Sequence, residues 1–223
     1  MCFVFKNKFI DLISKKLRSS KLEPIRQKLQ SGAVVLDIGV WCSIPEPHPG
    51  ENWLEKQNYG KGKLIAVGLE NMQHFKKKYP HVLCVQANGC ALPFADNSID
   101  VAFANAVLEH VPEAEQQDFV NEISRVTKKF SMLAVPDRFS PLEVHSRIPF
   151  LHWLPFWRNL YRLMGEQYWS SPINLSTIFT KRSFSRLLQK TQLDEGEWMV
   201  KRQKIYAIPI SLIGEYYRIQ NHE

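Results

Sequence analysis

Apolar residues recur along the middle of the chain in two alternating spacings. Short continuous runs, typical of buried strands, alternate with segments in which apolar residues return every three or four positions, as on one face of a helix. Buried strands that alternate with helices predict a parallel sheet covered by helices on both faces. The five predicted strands are Ala33–Ile38, Leu64–Leu69, Val82–Val85, Ile99–Ala104 and Phe130–Val135, with helices over 71–79 and 113–126 between them.

The two ends of the chain follow other patterns. Residues 4–18 predict an amphipathic helix with lysines on its polar face. Pro24 limits a second short helix to 24–30, because proline disrupts a helix interior. Near the other end, the pattern predicts a helix over 181–190 and two short strands within 197–208.

The segment between these parts has no regular period. Residues 137–180 contain seven aromatic side chains between Phe150 and Trp169. We therefore predict one domain over 32–223 with an aromatic-rich insertion at about 137–180, preceded by a basic helical extension over 1–31.

Composition narrows the class of protein. The chain has 223 residues, of which 44% are hydrophobic and 23% charged, as in ordinary globular domains. It has no apolar run of about 18 residues that would span a membrane, and charged residues interrupt any signal-peptide core in the first 20. We therefore expect a cytoplasmic protein whose four cysteines are reduced thiols. Their spacing matches no zinc pattern, so no metal site is predicted.

The net charge of +7 is distributed unevenly. Residues 1–30 carry +6, residues 31–140 carry −3 and residues 141–223 carry +4. The basic excess therefore lies outside the part of the chain with the clearest strand and helix pattern.

Polar residues follow the predicted strands, where an open parallel sheet binds its ligands. Asp37 and Gly39 follow the first strand, and Glu70 ends the second. A carboxylate at that position can accept hydrogen bonds from the two hydroxyls of a ribose. The alternative is that Glu70 begins the next helix, where its charge favours the helix N-terminus.

Three segments of the chain resemble class I S-adenosylmethionine-dependent methyltransferases of the ubiquinone/menaquinone-biosynthesis type. They are Val34–Gly39, Ala66–Glu70 and the long run Ala91–Phe103 that continues through Leu108–Val111. The resemblance covers about residues 32–137 and implies a Rossmann-like α/β fold. This fold is a doubly wound, mostly parallel seven-stranded sheet with helices on both faces, which binds S-adenosylmethionine.

The resemblance also implies a set of cofactor-binding residues. Asp37 and Gly39 would lie against the methionine end of the cofactor, and Glu70 would hold its ribose. The remaining residues would contact the adenine (Asn88, Gly89 and Cys90) or lie near the methionine (Asn105, Ala106 and His110).

The first loop departs from the family pattern. Trp41 takes the place of the second glycine, and three prolines follow. Gly39 and Glu70 are 31 residues apart, against about 20 in the usual dinucleotide-type spacing. The loop is consistent with a reshaped cofactor site or with a site that has lost binding.

The insertion contains two histidines, His145 and His152, as candidate catalytic bases. Either could remove a proton from the acceptor, although a histidine bonded to a backbone carbonyl is the more common arrangement. The aromatic segment over 149–157 is either a lid packed on its own domain or an apolar acceptor pocket or interfacial patch. Similarly, the basic helix over 4–18 either caps the domain or contacts anionic lipid. The aromatic segment lacks the basic residues that alternate with aromatics in a groove that binds single-stranded nucleic acid. Nucleic acid is therefore not expected as a partner.

The favoured hypothesis is an enzyme that methylates a small, lipophilic or lipid-linked acceptor with S-adenosylmethionine. The alternative is a non-catalytic binding module that keeps the fold and has lost the cofactor. Peripheral contact with an anionic membrane is compatible with either hypothesis.

Overall fold

The computed structural model describes residues 8–43, 51–57, 59–141, 148–165, 171, 174–191, 196–205 and 207–219. These residues form one seven-stranded sheet and five α-helices. The strands are β1 Val34–Ile38, β2 Lys63–Gly68, β3 Leu83–Gln86, β4 Ile99–Asn105, β5 Thr127–Pro136, β6 Gly196–Ile205 and β7 Ile208–Arg218. The helices are α1 Lys8–Gln30, α2 Gln73–Lys78, α3 Gln116–Val126, α4 Trp157–Leu163 and α5 Lys181–Gln189.

The strand order is β3-β2-β1-β4-β5-β7-β6, which confirms the doubly wound, mostly parallel sheet. Strands β1 to β5 pair in parallel, and β7 is antiparallel to both of its neighbours. The order reverses between β1 and β4, so the ligand crevice of this fold lies where these two strands end.

Both faces of the sheet are buried, as the continuous apolar runs predict. One face packs against α3 and α5 in a core that includes Leu36, Phe119 and Phe184. The opposite face packs against α1 and α2, with Ile25 and Phe75 fully buried. The five predicted strands are all present, and the helices predicted before β3, before β5 and over 181–190 form as well.

The prediction of two helices at the N-terminal end was wrong. One continuous helix, α1, covers Lys8–Gln30 and contains Pro24 in its interior. Pro24 is exposed, so water can reach the carbonyl that loses its hydrogen bond. Leu22, Ile25 and Leu29 bury one face of the helix against the sheet. The boundary between an extension over 1–31 and the domain over 32–223 stays a prediction.

The prediction of two short strands within 197–208 was also wrong. One long strand, β6, spans Gly196–Ile205, and the antiparallel β7 follows it. Arg202 of β6 forms an ion pair with the fully buried Asp137, which follows β5. This ion pair ties the edge strand to the end of β5.

The insertion has a small core of its own. A 3-10 turn over Leu151–Trp153 leads into α4, where Trp157 and Tyr161 are buried together with Leu175. Among the helices of the described ranges, none has both the length and the apolar character that crossing a bilayer requires.

Candidate functional site at the carboxyl edge of the sheet

The strand register brings the predicted site residues to one edge of the sheet. Ile38 of β1 lies beside Val67 of β2 and Ala104 of β4. The residues that follow these three positions are therefore neighbours at the carboxyl edge. They include Asp37 and Gly39 on the central strand, Glu70 after β2 and Asn105 at the end of β4.

Gly39 makes the turn that leaves β1. Its φ is +86°, and its backbone N–H donates to the Val67 carbonyl at 2.8 Å. A Cβ at this position would overlap the Val107 side chain, reaching 2.9 Å from Cγ1 and less from Cγ2. Glycine is therefore required both by the backbone conformation and by the close approach of the β4 loop.

Two hydrogen bonds join the two described ends of the long loop after β1. The Trp41 N–H donates to Asn52 Oδ1, and Asn52 Nδ2 donates back to the Trp41 carbonyl, both at 2.9 Å. Cys42 is buried directly against Gly68 of β2. A Cβ at Gly68 would overlap the sulfur of Cys42. Before β2 this loop forms a 3-10 turn over Leu54–Lys56.

Glu70 is exposed at the tip of β2, the position expected of a ribose ligand. Its Oε2 accepts a hydrogen bond from Ser43 Oγ at 3.1 Å. The loop thus holds the Glu70 side chain in place through an oxygen that a ribose hydroxyl would also use.

Asp37 has a carboxylate neighbour that sequence reasoning missed. Glu55, on the 3-10 turn, is fully buried. Burial, followed by the charge of Glu55 and a hydrogen bond between the two carboxyls, raises the pKa of Asp37 well above its ordinary value. The carbonyl of Glu55 is fixed by Tyr59 Oη and His81 Nε2, both at 3.0 Å.

The expected adenine-binding residues lie together in a tight turn after β3. Asn88 Oδ1 accepts a hydrogen bond from the Cys90 N–H at 3.0 Å, so the amide oxygen already stabilises the turn. Gly89 packs directly on Phe119 of α3. Burial is the largest cause that raises the pKa of the Cys90 thiol to about 11, followed by the negative charge of Glu115.

Asn105 and Ala106 end β4 in an unusual way. Asn105 Oδ1 is buried and has no hydrogen-bond donor among the described residues. Ala106 has a φ of +60°, and its N–H donates to the Ala134 carbonyl at 2.8 Å. A buried acceptor without a donor, beside a strained non-glycine residue, is typical of a ligand-binding position.

His110 connects this loop to the insertion. Its Nδ1 donates to the Asn174 carbonyl, and the neighbouring Glu109 carbonyl accepts from the Ser176 N–H at 2.8 Å. Gln116 Nε2 adds bonds to the hydroxyls of Ser176 and Thr177, at 3.2 and 2.9 Å. The structure thus places His110 at the seam between the insertion and the sheet.

Of the two candidate bases, His145 lies outside the described residues. His152 is buried, and its Nε2 donates to the Arg138 carbonyl at 3.1 Å. This bond fixes the ring and holds the insertion to the residue that follows Asp137. A histidine bonded to a backbone carbonyl is the arrangement given above as the alternative to a catalytic base.

Helix α1 also reaches the carboxyl edge. Its last turn lies at the opposite edge, where the Lys28 carbonyl accepts from the Ala33 N–H. Arg18, about three turns earlier, pairs with Glu51 of the loop at 3.5 Å. Burial, then the charge of Arg18, lowers the pKa of Lys21 to about 8, while the charge of Glu109 opposes the shift.

Comparison with known proteins agrees with this geometry. A family model described as "Methyltransferase domain" matches residues 52–135. A probable S-adenosylmethionine-dependent methyltransferase of Mycobacterium tuberculosis is 38% identical over 85 residues, which cover 35% of this chain and 30% of that protein. The chain thus matches less than a third of this relative's length. An uncharacterized methyltransferase of Mycobacterium leprae is 50% identical over 44 residues, covering 20% of this chain and 16% of that protein.

Solved structures share the fold over nearly the whole chain. The 1,6-didemethyltoxoflavin-N1-methyltransferase of Burkholderia thailandensis, with bound 1,6-didemethyltoxoflavin and S-adenosylhomocysteine, covers 91% of this chain and 80% of its own. Its TM-score is 0.55 at 15% identity. A methyltransferase of Archaeoglobus fulgidus has a TM-score of 0.57 at 13% identity, covering 92% of this chain and 94% of its own. The ubiquinone/menaquinone subtype stays a prediction. The chain thus has the fold of S-adenosylmethionine-dependent methyltransferases, and its residues 52–135 match the methyltransferase domain.

Proposed function

We propose that this chain transfers a methyl group from S-adenosylmethionine to a small, lipophilic or lipid-linked acceptor. The observation that carries the cofactor assignment is the buried Asn105 Oδ1, which has no donor among the described residues. It lies at the end of β4, where the strand order reverses, on the same edge of the sheet as Asp37 and Glu70.

The chain's own residues fit the groups of this cofactor. Asn105 Oδ1 would accept from the ammonium of the methionine part, whose positive charge the carboxyls of Asp37 and Glu55 favour. Glu70 would accept from the ribose hydroxyls. When bound, S-adenosylmethionine supplies a methyl group on a positively charged sulfur. Positioning by the chain can then supply much of the rate enhancement.

The acceptor class is inferred from the insertion. The core of the insertion is formed by Trp157, Tyr161 and Leu175, and several of its other apolar side chains remain exposed. Through Ser176 and His152 it is bonded to residues that follow β4 and β5. An apolar acceptor would therefore find apolar surface beside the crevice. The Burkholderia structure has bound 1,6-didemethyltoxoflavin, which supports the choice of a small acceptor in this proposal.

A lipid-linked acceptor is reached at a membrane. We therefore include peripheral contact with an anionic membrane in the proposal, supported by the +6 charge of residues 1–30.

The non-catalytic alternative also has specific support. Glu70 Oε2 already accepts from Ser43, and Asn88 Oδ1 already accepts from the Cys90 N–H. Two expected ligand atoms thus have partners within the chain. A binding measurement separates the two hypotheses.

Calorimetric titration with S-adenosylhomocysteine is that measurement. We expect micromolar binding by the wild type and at least about tenfold weaker binding by Glu70→Ala, since a carboxylate that accepts two hydroxyls is lost. Glu197→Ala removes an exposed glutamate on β6 and should bind as the wild type does. No binding to the wild type at millimolar ligand would favour the non-catalytic module.

A further inference from the structure

Exposed apolar side chains are concentrated in one short stretch of the molecule. The described residues expose fourteen large hydrophobic side chains, and seven of them lie between positions 139 and 164. They are Phe139, Phe150, Trp153, Leu154, Phe156, Leu163 and Met164. Single exposed apolar residues are ordinary on protein surfaces, whereas a cluster of this size marks an interaction site.

Helix α4 is apolar on two different faces. Trp157 and Tyr161 are buried four positions apart, with their ring centres separated by 5.4 Å. Phe156 and Leu163 are 70% and 83% exposed. Leu163 lies roughly 120° or more around the helix from the buried pair at 3.6 residues per turn, and Phe156 is the residue that precedes the helix. One stripe therefore attaches the helix to the protein, and the other is presented to solvent.

An exposed aromatic pair precedes α4 in the chain. The rings of Phe150 and Trp153 are 5.0 Å apart, and about half of each side chain is exposed. Trp153 Nε1 donates to the Ser140 carbonyl at 3.1 Å, so its polar atom is bonded to the chain. Tryptophan with a satisfied N–H and an exposed ring suits the boundary between water and lipid.

In the described ranges beside this surface, the charged side chains are all basic. Residues 148–165 and 174–191 contain six Lys and Arg and no Asp or Glu. Arg162, Lys181 and Arg182 are exposed. Arg158 stacks over Trp157 at 4.3 Å and donates to the Leu175 carbonyl at 2.8 Å. A partner that is apolar inside and negatively charged at its surface complements this arrangement.

The basic elements beside this surface face the same edge of the sheet. Helix α5 begins there, because Phe179 pairs with Asp137, which follows β5. Helix α1 reaches the same edge at Arg18 and continues for ten more residues to Lys8. At 1.5 Å per residue this is about 15 Å of helix beyond the edge. Arg18 of α1 and the start of α5 thus lie at the same edge of the sheet as the insertion.

We propose that an anionic lipid bilayer binds to this part of the molecule. The apolar side chains enter the boundary between headgroups and acyl chains, and the surrounding Lys and Arg contact lipid phosphates. We call this set of residues the docking surface: Phe150, Trp153, Leu154, Phe156, Leu163 and Met164. Its purpose rests on the proposed function, because docking would bring the crevice to a lipid-linked acceptor.

Co-sedimentation with vesicles tests the docking surface. We expect the wild type to sediment with vesicles of 30% phosphatidylglycerol in phosphatidylcholine, and less so in 0.5 M NaCl or with pure phosphatidylcholine. The double variant F156S/L163S should partition at least about tenfold more weakly, since two largely exposed apolar side chains are lost. The matched control M199S/I208S alters two exposed apolar residues of β6 and β7 and should sediment as the wild type does.

Several outcomes would overturn the proposal. These are a wild type that stays in solution at millimolar lipid, an F156S/L163S variant that sediments like the wild type, and an equal loss in the control. A wild-type dimer that dissociates in F156S/L163S without lipid would assign the surface to a second copy of the chain. Calorimetry with S-adenosylhomocysteine on the same variant verifies its folding. Vesicle binding without ligand binding would refute the proposed function alone, and the reverse result would refute the docking surface alone.

Discussion

At the scale of single residues, Gly39 leaves no room for a side chain at the mouth of the crevice. We expect Gly39→Ala to lower the free energy of unfolding by about 2–3 kcal/mol. Part of this cost is the positive φ of +86°, and part is overlap with Val107. Urea denaturation measures the change.

Gly165 provides a matched control for this substitution. Its φ is +82°, yet a Cβ there meets nothing within 4 Å. Gly165→Ala should therefore cost only the backbone strain, about 1 kcal/mol. Equal costs at the two positions would show that Val107 can move aside.

The carboxyl pair of Asp37 and Glu55 predicts a pH effect. Because the pKa of Asp37 is raised in the folded chain, the unfolded chain releases that proton first as the pH rises. The free energy of unfolding therefore falls as the pH rises from about 4 to the raised pKa, and it stays reduced above that pKa. Glu55→Gln removes the charge repulsion and should recover on the order of 1 kcal/mol at neutral pH.

Urea denaturation at several pH values between 5 and 8 checks this expectation. The free energy of unfolding of Glu55→Gln should fall less steeply with pH than that of the wild type. Glu113→Gln, at an exposed glutamate, should leave the slope unchanged. Identical slopes in all three proteins would mean that the two carboxyls do not interact.

The sequence could predict some site residues and not others. Glu70 and Asn105 follow strands with clear apolar patterns, so their positions at the sheet edge were predictable. Ser43, Asn52 and Glu55 belong to a loop that is about ten residues longer than usual. Their contacts depend on the path of that loop, which no local periodicity records.

At the scale of elements, α1 shows why a proline rule can mislead. Pro24 predicted a break, yet the helix continues because that face is exposed and the opposite face is buried. The aliphatic side chains of Leu22, Ile25 and Leu29 lie against the sheet and stabilise the helix through the proline. Packing thus outweighs the local cost of the proline.

This packing can be tested at Ile25, which is fully buried. We expect Ile25→Ala to lower the free energy of unfolding by about 2–5 kcal/mol, since it leaves a cavity between α1 and the sheet. Ser20→Ala, at an exposed position of the same helix, should change it by less than about 0.5 kcal/mol. Thermal denaturation of both variants gives the comparison. Equal effects would mean that α1 contributes little to the core.

At the scale of the whole molecule, the acidic and basic parts of the chain form different parts of the structure. The acidic middle of the chain supplies β1 to β5 and the cofactor crevice. The basic parts supply α1 at one side of the crevice and the insertion with α5 at the other. The net charge of +7 therefore bears on what approaches the crevice from outside, and less on the cofactor within it.

The placement of β7 between β5 and β6 has a consequence for the order of folding. Strand β6 precedes β7 in the chain but joins the sheet only through it. During synthesis, the edge of β5 must therefore stay unpaired until β7 has left the ribosome, while β6 has no strand partner. Unpaired strand edges are templates for aggregation. We infer that the nascent chain is most prone to misassociate in this interval, when a chaperone would have most effect.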